Sequence, residues 1–271
     1  NIAALGSTAL LMSVTGSDSA AQQLKRVLES AGIETGALVS DSTRPTTVKT
    51  RIMAQMGLRF PQQVARIDTL SRQPIDRKTE RRLLTMLDAH IGTVNALLFS
   101  DYHSGLLMPS LVNTAREMAH PRGLLTAADA QGALEKYAGF SLIKCNADDA
   151  RAYLNRPLRT DDDFTQAALE LCAVLKVQGA MVITRGADGA TLANVDGTHA
   201  HLPAPHVTDV YDTVGAGDTA IAVMTLAAAA GTGYAAAVQL ANYASGIVVR
   251  RVGNYTPTPD ELRAAVTHLE F

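Results

Sequence analysis

The sequence predicts an α/β fold, with a mostly parallel central sheet between helices and a small β-strand lid. Two observations carry this. Apolar runs of strand length alternate with segments of helical period, which implies parallel βαβ units with right-handed crossovers. Between about residues 36 and 70 the strands alternate in polarity instead, so they belong to a separate sheet with one open face. Composition agrees, because 47% hydrophobic and 18% charged residues in a chain of 271 is ordinary globular usage and enough for a core.

In chain order, residues 9–14 (ALLMSV) read as a buried strand stopped at Thr15-Gly16. Ala20, Ala21, Leu24, Val27 and Leu28 have helical spacing over residues 19–30, and Gly32 ends the run. Residues 46–53 and 64–70 alternate and are the lid strands. Residues 95–100 (NALLFS) form a continuous apolar strand, followed by a helix at 109–119 and strands at 123–127 and 140–144. A short helix at 147–154 and a long one at 161–177 lead to a strand at 180–184 (AMVIT). Residues 192–202 form a hairpin turning at Asp196-Gly197, and helices follow at 216–230, 235–250 and 259–268. No element is assigned over residues 71–94.

Several function classes are set aside. Lys+Arg is 24 against 26 Asp+Glu, a net charge of -2, which does not suit a nucleic-acid binder working by bulk electrostatics. No apolar run approaches the roughly 20 residues that span a bilayer. Residues 1–13 lack a basic start and a small-residue cleavage site, so a cytoplasmic protein is expected. Cys145 and Cys172 cannot build a disulfide framework or a four-cysteine zinc site, and the seven histidines include no His-x-x-x-His pair. His90 and His268 fall near helix ends, where they complement the dipole. Thr160 with Asp161, Asp162 and Asp163 resembles an acid cluster, but a helix cap with a favourable first turn explains it.

The segment that carries chemistry is residues 210–222, VYDTVGAGDTAIA. Gly215 and Gly217 let the backbone curl so that the N–H groups of residues 215–217 face one point, and the following helix adds its positive end. Such a cradle binds an oxyanion, and Asp218 beside it can take a proton from an incoming hydroxyl. Two other readings of this stretch stand. It fits the dinucleotide fingerprint G-x-G-x-x-A, although no buried strand leads in and no acid follows over residues 219–249. It also fits a plain glycine-rich helix cap. A Walker A loop is absent from the sequence.

Asp212-Thr213-Val214-Gly215-Ala216-Gly217-Asp218 resembles the D-T-x-G-A-G-D signature of the ribokinase-type sugar kinases, the PfkB family. Asn1-Ile2-Ala3-Ala4-Leu5-Gly6 is similar to their N-x-A-x-L-G helix, Thr15-Gly16-x-Asp18 to their G-x-D turn, Asn146-x-x-Asp149 to N-x-x-E, and Thr184 to Gly189 to T-x-G-x-x-G. The order of these motifs spans nearly the whole chain. Within the family, Arg44 to Arg51, Gln62-Gln63, Arg66, Asp68 and Ser100-Asp101-Tyr102 resemble the heptose 7-phosphate kinases of ADP-heptose synthesis.

The resemblance implies a ribokinase-like three-layer sandwich, with a body of residues 1–35 and 71–271 and a lid of residues 36–70. A first strand and a sugar-binding acid would precede Asn1. It implies transfer of a phosphoryl group from ATP to O1 of D-glycero-β-D-manno-heptose 7-phosphate. Asp218 would be the base, with the amides of Gly215, Ala216 and Gly217 stabilising charge. Thr184, Gly186, Gly189, Asn242 and Ser245 would bind nucleotide. Arg44, Lys49, Arg51 and Asp101 would bind the sugar phosphate; Lys49 and Arg51, two apart on a strand, share a face. Asn146 and Asp149 would hold Mg²⁺ through water, and a monovalent cation would sit near Asp212 and Gly253. No membrane or nucleic acid is involved, and exposed lid edges suggest a homodimer. The chain would be only the kinase half of that pathway's chemistry.

The sequence departs from the pattern in three places. Asp149 replaces Glu, Ser104 replaces the lysine of S-D-Y-x-K-G, and Gln131 replaces that of D-P-K-G. A kinase of the same fold acting on another sugar or a nucleoside is therefore a second expectation. A sugar- or nucleotide-binding protein that has lost catalysis is a third.

Overall fold

The computed structural model describes residues 1–55, 62–207 and 210–267. β1 (Ala9–Leu10) and β2 (Ser13–Thr15) precede α1 (Ser19–Ser30), and β3 (Ile33–Glu34) and β4 (Leu38–Ser40) follow it. β1 pairs with β3 and β2 with β4, both in parallel. The single strand expected over residues 9–14 is therefore two, because the segment it pairs with turns at Thr35, where Leu38 N–H bonds Thr35 O at 3.1 Å.

β5 (Val48–Ala54) and β6 (Gln62–Thr69) form the antiparallel lid hairpin. Leu38–Ser40, within the span assigned to the lid, pairs instead with β2. The link between the two lid strands includes residues outside the described ones.

α2 (Arg77–His90) occupies the stretch to which the sequence reading gave no element. Asp76 caps it by accepting from Thr79 N–H at 2.7 Å, and Leu83 and Leu87, four apart, are buried. The charged start RKTERR masks that stripe in the sequence. His90 lies in its last turn; His268 lies outside the described residues.

The main sheet begins with β7 (Ala96–Ser100), α3 (Pro109–Ala119) and β8 (Leu125–Asp129). It continues with β9 (Leu142–Asn146), α4 (Ala147–Leu154), α5 (Asp161–Val174), β10 (Ala180–Thr184), β11 (Ala190–Asn194) and β12 (His199–Leu202). Helices α6 (Ala216–Ala229), α7 (Tyr234–Val248) and α8 (Pro259–Thr267) are the last elements among the described residues. Strand order is β12-β11-β10-β9-β8-β7, with β7 to β10 parallel and β11 and β12 antiparallel. β8 and β9 start two residues later than expected. Gly123 closes a turn at φ 64, and Phe140 N–H bonds Tyr137 O at 3.1 Å, so both are turn residues. The shift matters, because it puts Asp129 and Asn146 at the carboxyl ends of their strands. α5 ends at Val174, short of 177, since Lys176 takes φ 50 and Val177 N–H turns back to Cys172 O at 3.0 Å.

Strand alternation builds three layers. Ile143, Cys145, Met181 and Ile183 point to one side and pack with Val112, Ala150, Phe164 and Leu171 of α3, α4 and α5. Leu142, Ala180, Val182 and Leu192 point to the other and pack with Ile221, Met224, Val238 and Ala241 of α6 and α7. Burial of each larger side chain contributes about 1.5–3 kcal/mol. The Thr160 cap forms as the sequence suggested, with Thr160 Oγ1 accepting from Asp163 N–H at 3.1 Å and Asp163 Oδ2 from Thr160 N–H at 2.9 Å. Among the described residues no helix is long and apolar enough to cross a membrane.

Candidate active site

The carboxyl ends of parallel strands are where open α/β sheets bind ligands. The loop before α6 reaches that edge. Gly215 caps α6 at φ 82, a conformation that strains any residue with a Cβ. Thr219 N–H bonds Gly215 O at 2.9 Å and Ala216 N–H bonds Thr213 O at a long 3.3 Å. The N–H groups of Gly215 and Gly217 have no acceptor among the described residues, so they are the free donors of the cradle. Thr219 Oγ1 donates to Asn1 Oδ1 at 2.9 Å, which fastens the first segment of the chain to this turn.

Asp218 is half-buried at the cleft rather than enclosed in the core. Its Oδ1 accepts a hydrogen bond from the Tyr102 hydroxyl. Beneath the loop lies a pair the sequence reading did not assign to the site. Lys144 of β9 donates to Asp129 Oδ1 of β8 at 2.8 Å, with both side chains 6% exposed. A Cβ built on Gly217 would stand 3.2 Å from Lys144 Nζ, so the ammonium forms the floor of the cradle. Desolvation raises the Asp129 carboxyl above its usual range, Lys144 opposes that, and the negative charges of Asp218 and Asp149 add to the rise. The signal was present: a lysine in the apolar strand LIKCN needs a buried partner, and Asp129 stands opposite it in the register.

Asn146 and Thr184 are register partners at the ends of β9 and β10. With Gly186 and Arg159 they line a cleft of about 540 Å³. Asn146 Oδ1 accepts from Asp149 N–H at 2.8 Å, and Asp149 Oδ1 accepts from Gly132 N–H at 3.0 Å. Asp149 Oδ2 is buried with no partner among the described residues. An unpaired buried carboxylate oxygen beside an amide oxygen suits a hard, oxygen-seeking cation such as Mg²⁺. Asp212 accepts from Val214 N–H and Gly253 N–H, each at 3.0 Å, which brings Asp212 and Gly253 together.

Other expected residues are held differently. A Cβ on Gly189 would lie 2.1 Å from Leu202 O, so Gly189 is needed for close packing on β12. Asn242 donates to Leu202 O at 2.9 Å and Pro203 O at 3.2 Å, and Ser245 to Ala216 O at 3.2 Å. Asp101 is 3% exposed and accepts from Lys136, from Tyr137 Oη at 2.8 Å and from His103 N–H at 2.9 Å. Arg44 binds main-chain oxygens of Gln73 and Ser104 and pairs with Asp41 at 3.6 Å, so it roots the lid. Arg185 is taken up by Asp161 at 2.7 Å and stacks 4.2 Å over Phe164.

Lys49 and Arg51 are the half-buried positions of β5. Lys49 Nζ stands 4.5 Å over the Tyr102 ring, so this lid face looks into the cleft. Arg51 is directly opposite Arg66, and its Nε is buried with no partner among the described residues. Like charges opposed across a hairpin are destabilising unless an anion lies between them.

Comparison with known proteins agrees with this geometry. The family profile described as pfkB family carbohydrate kinase matches residues 1–261. The bifunctional protein HldE of Geobacter sulfurreducens is 35% identical over 263 residues, covering 97% of this chain and 52% of its own length. The chain thus spans about half the length of the curated relatives it matches. Phosphofructokinase-2 from Escherichia coli in complex with potassium superposes with TM-score 0.79 at 20% identity, over 100% of this chain and 85% of that one. Arabidopsis thaliana ribokinase complexed with ribose and ATP does so with TM-score 0.76 at 15% identity, over 97% and 83%. With a ribokinase-like fold and a profile match from residue 1 to residue 261, the chain belongs to the pfkB family of carbohydrate kinases.

Proposed function

We propose that the chain transfers the γ-phosphoryl group of ATP to O1 of D-glycero-β-D-manno-heptose 7-phosphate. The observation that carries the substrate class is the lid face. Lys49, Arg51 and Arg66 share it, Asp68 answers only part of their charge, and the Arg51 Nε awaits an acceptor. A phosphate on the sugar supplies one. The resemblance of Arg44 to Arg51, Arg66, Asp68 and Ser100-Asp101-Tyr102 to the heptose 7-phosphate kinases supports the heptose.

In this reading Asp218 accepts the proton of the attacking hydroxyl, a contribution of typically 10²–10⁴-fold. The free amides of Gly215 and Gly217 hold the phosphoryl oxygens, and Lys144, paired with Asp129, keeps the floor beneath them in shape. Asn146 and Asp149 would hold Mg²⁺, and the ion would neutralise phosphate charge when bound. A potassium-like ion near Asp212 and Gly253 would fix the loop, in line with the potassium complex of the phosphofructokinase-2 neighbour. Thr184 and Gly186 flank the phosphates. The groove of about 610 Å³ between Pro205 and Tyr243, Gly246 and Ile247 of α7 is the lodging for the base. Val48, Ile52 and Ile67 leave the opposite lid face apolar and exposed, which supports a homodimer through the lid; sedimentation at micromolar concentration checks it.

A second reading, a kinase of another sugar, is favoured by one feature. The two motifs that lack their lysines meet in space, because a Cβ on Gly132 would stand 2.9 Å from His103 Cε1. The acceptor pocket is therefore altered at one spot. A coupled ADP-release assay over sugars and sugar phosphates decides between the readings, with Asp218→Asn expected to lower kcat by about 10²–10⁴-fold. Full turnover in that variant removes Asp218 from its role, and ATP binding without any turnover leaves a binding protein.

A further inference from the structure

Tyr102 belongs to no motif role assigned above, yet it touches both halves of the site. It lies just after β7, at the carboxyl edge of the sheet. Its hydroxyl donates to Asp218 Oδ1, and Lys49 of the lid sits 4.5 Å over its ring. We infer that Tyr102 positions the Asp218 carboxylate and occupies it until an acceptor hydroxyl replaces the phenol, with Lys49 coupling that exchange to the lid. The inference rests on the kinase reading and deepens it.

The chemistry of the three groups supports the assignment. An ionised carboxylate only accepts hydrogen bonds, and the phenol already holds Oδ1, so an acceptor hydroxyl that uses that oxygen must displace it. Burial first, and then the bond to Asp218, keep the phenol well above its usual range. Tyr102 therefore remains a neutral donor at working pH and cannot itself be the base. Tyr102 is 44% exposed, so the ring has solvent on one side and room to swing away. The ammonium of Lys49 is held on the ring face by the ring quadrupole. A phosphate drawing Lys49 toward itself removes that hold at the moment the acceptor arrives. Bound acceptor and released tyrosine then become one event. The phenol costs acceptor affinity but keeps the base aligned and out of solvent while the site is empty.

Two measurements test this. The chain has 7 tyrosines and no tryptophan, so its emission is tyrosine emission, and a phenol bonded to a carboxylate is quenched. Asp218→Asn is expected to raise emission in the otherwise unchanged chain but not in a Tyr102→Phe background. An equal rise in both backgrounds overturns the contact. In steady-state kinetics with heptose 7-phosphate, Tyr102→Phe is expected to lower kcat about tenfold, the size of one hydrogen bond to a charged group. It is expected to lower the acceptor KM about threefold while the ATP KM stays within about twofold. An acceptor KM that rises or stays unchanged overturns the hand-over, because a merely structural tyrosine leaves no competitor to remove. If the emission result holds and no acceptor on the panel turns over, the kinase reading fails and the hand-over with it. If turnover is normal and the emission result is missing, the kinase reading stands and this inference alone fails.

Discussion

The floor of the cradle and the inner face of the lid use the same charged groups in opposite ways. Lys144 is enclosed and answered by Asp129 at 2.8 Å. Lys49, Arg51 and Arg66 are answered in part by Asp68, and the Arg66–Asp68 pair, with side chains 46% and 23% exposed, contributes little by itself. A charge that the protein has already neutralised holds the site in shape. A charge left over, opposed by its like across a strand pair, is kept for something that arrives. Burial separates the two, since Lys144 and Asp129 are enclosed together while the lid cations are half-buried or exposed.

The strongest way to break this comparison is to strip the floor. Lys144→Met leaves Asp129 buried and unpaired, a loss of about 3–5 kcal/mol of stability by denaturant titration. The double variant Lys144→Met with Asp129→Leu should recover most of that loss, because two apolar groups replace two desolvated charges. If the single variant is as stable as the parent, the pair is not enclosed as described. Stability and activity separate in the double variant, whose fold returns while its cradle lacks the ammonium under Gly217.

The lid should respond in the reverse sense. Arg51→Met is expected to leave stability unchanged or slightly raised, since it relieves the opposition to Arg66. It should raise KM for a phosphorylated acceptor about tenfold, roughly 1.4 kcal/mol, and leave a non-phosphorylated sugar unaffected. That difference should shrink as salt is added. An equal effect on both acceptors would mean that Arg51 meets something other than phosphate.

The same contrast explains what could be read from the sequence. The βαβ rhythm, the lid strands, the Thr160 cap and the loop of Gly215 to Asp218 are local patterns, and each lies within a few residues of its expected place. α2 escaped because its charged start outweighs Leu83 and Leu87, whose burial depends on tertiary packing. Tyr102 stands in the quoted Ser100-Asp101-Tyr102 motif, but its role stays hidden in the sequence because its contacts with Asp218 and Lys49 cross three segments far apart in the chain. Asn242 and Gly189 carry polar or flexible positions suited to a ligand, but their partners on β12 and the residues after it, Leu202 and Pro203, become visible only when the chain is folded. Lys144 is legible in the sequence, since a lysine inside an apolar strand is itself an anomaly.

The smallest expected effect concerns the lid's root. Asp18 Oδ1 accepts from Ala21 N–H at 2.9 Å and Thr46 Oγ1 at 2.7 Å, and its Oδ2 from Thr46 N–H at 2.9 Å. One carboxylate thus caps α1 and ties down the residue two places before the lid begins. Gly16 permits it, since a Cβ there would lie 2.7 Å from Arg44 O and Thr46 N. The bonds from Thr46 lead in holding this carboxyl below its usual range. A depressed acid contributes stability above the ordinary carboxylate value and loses it as pH falls through the folded value. Asp18→Asn keeps a capping oxygen but has no charge to titrate. The parent should therefore be the more stable of the two at neutral pH, and the gap should narrow from about pH 5 downward, through the ordinary carboxylate value and on through the lower folded one. Hydrogen exchange at Thr46 N–H reads the same root directly. A gap that stays constant over that range would mean that the carboxylate form of Asp18 gives the lid no hold that its amide lacks.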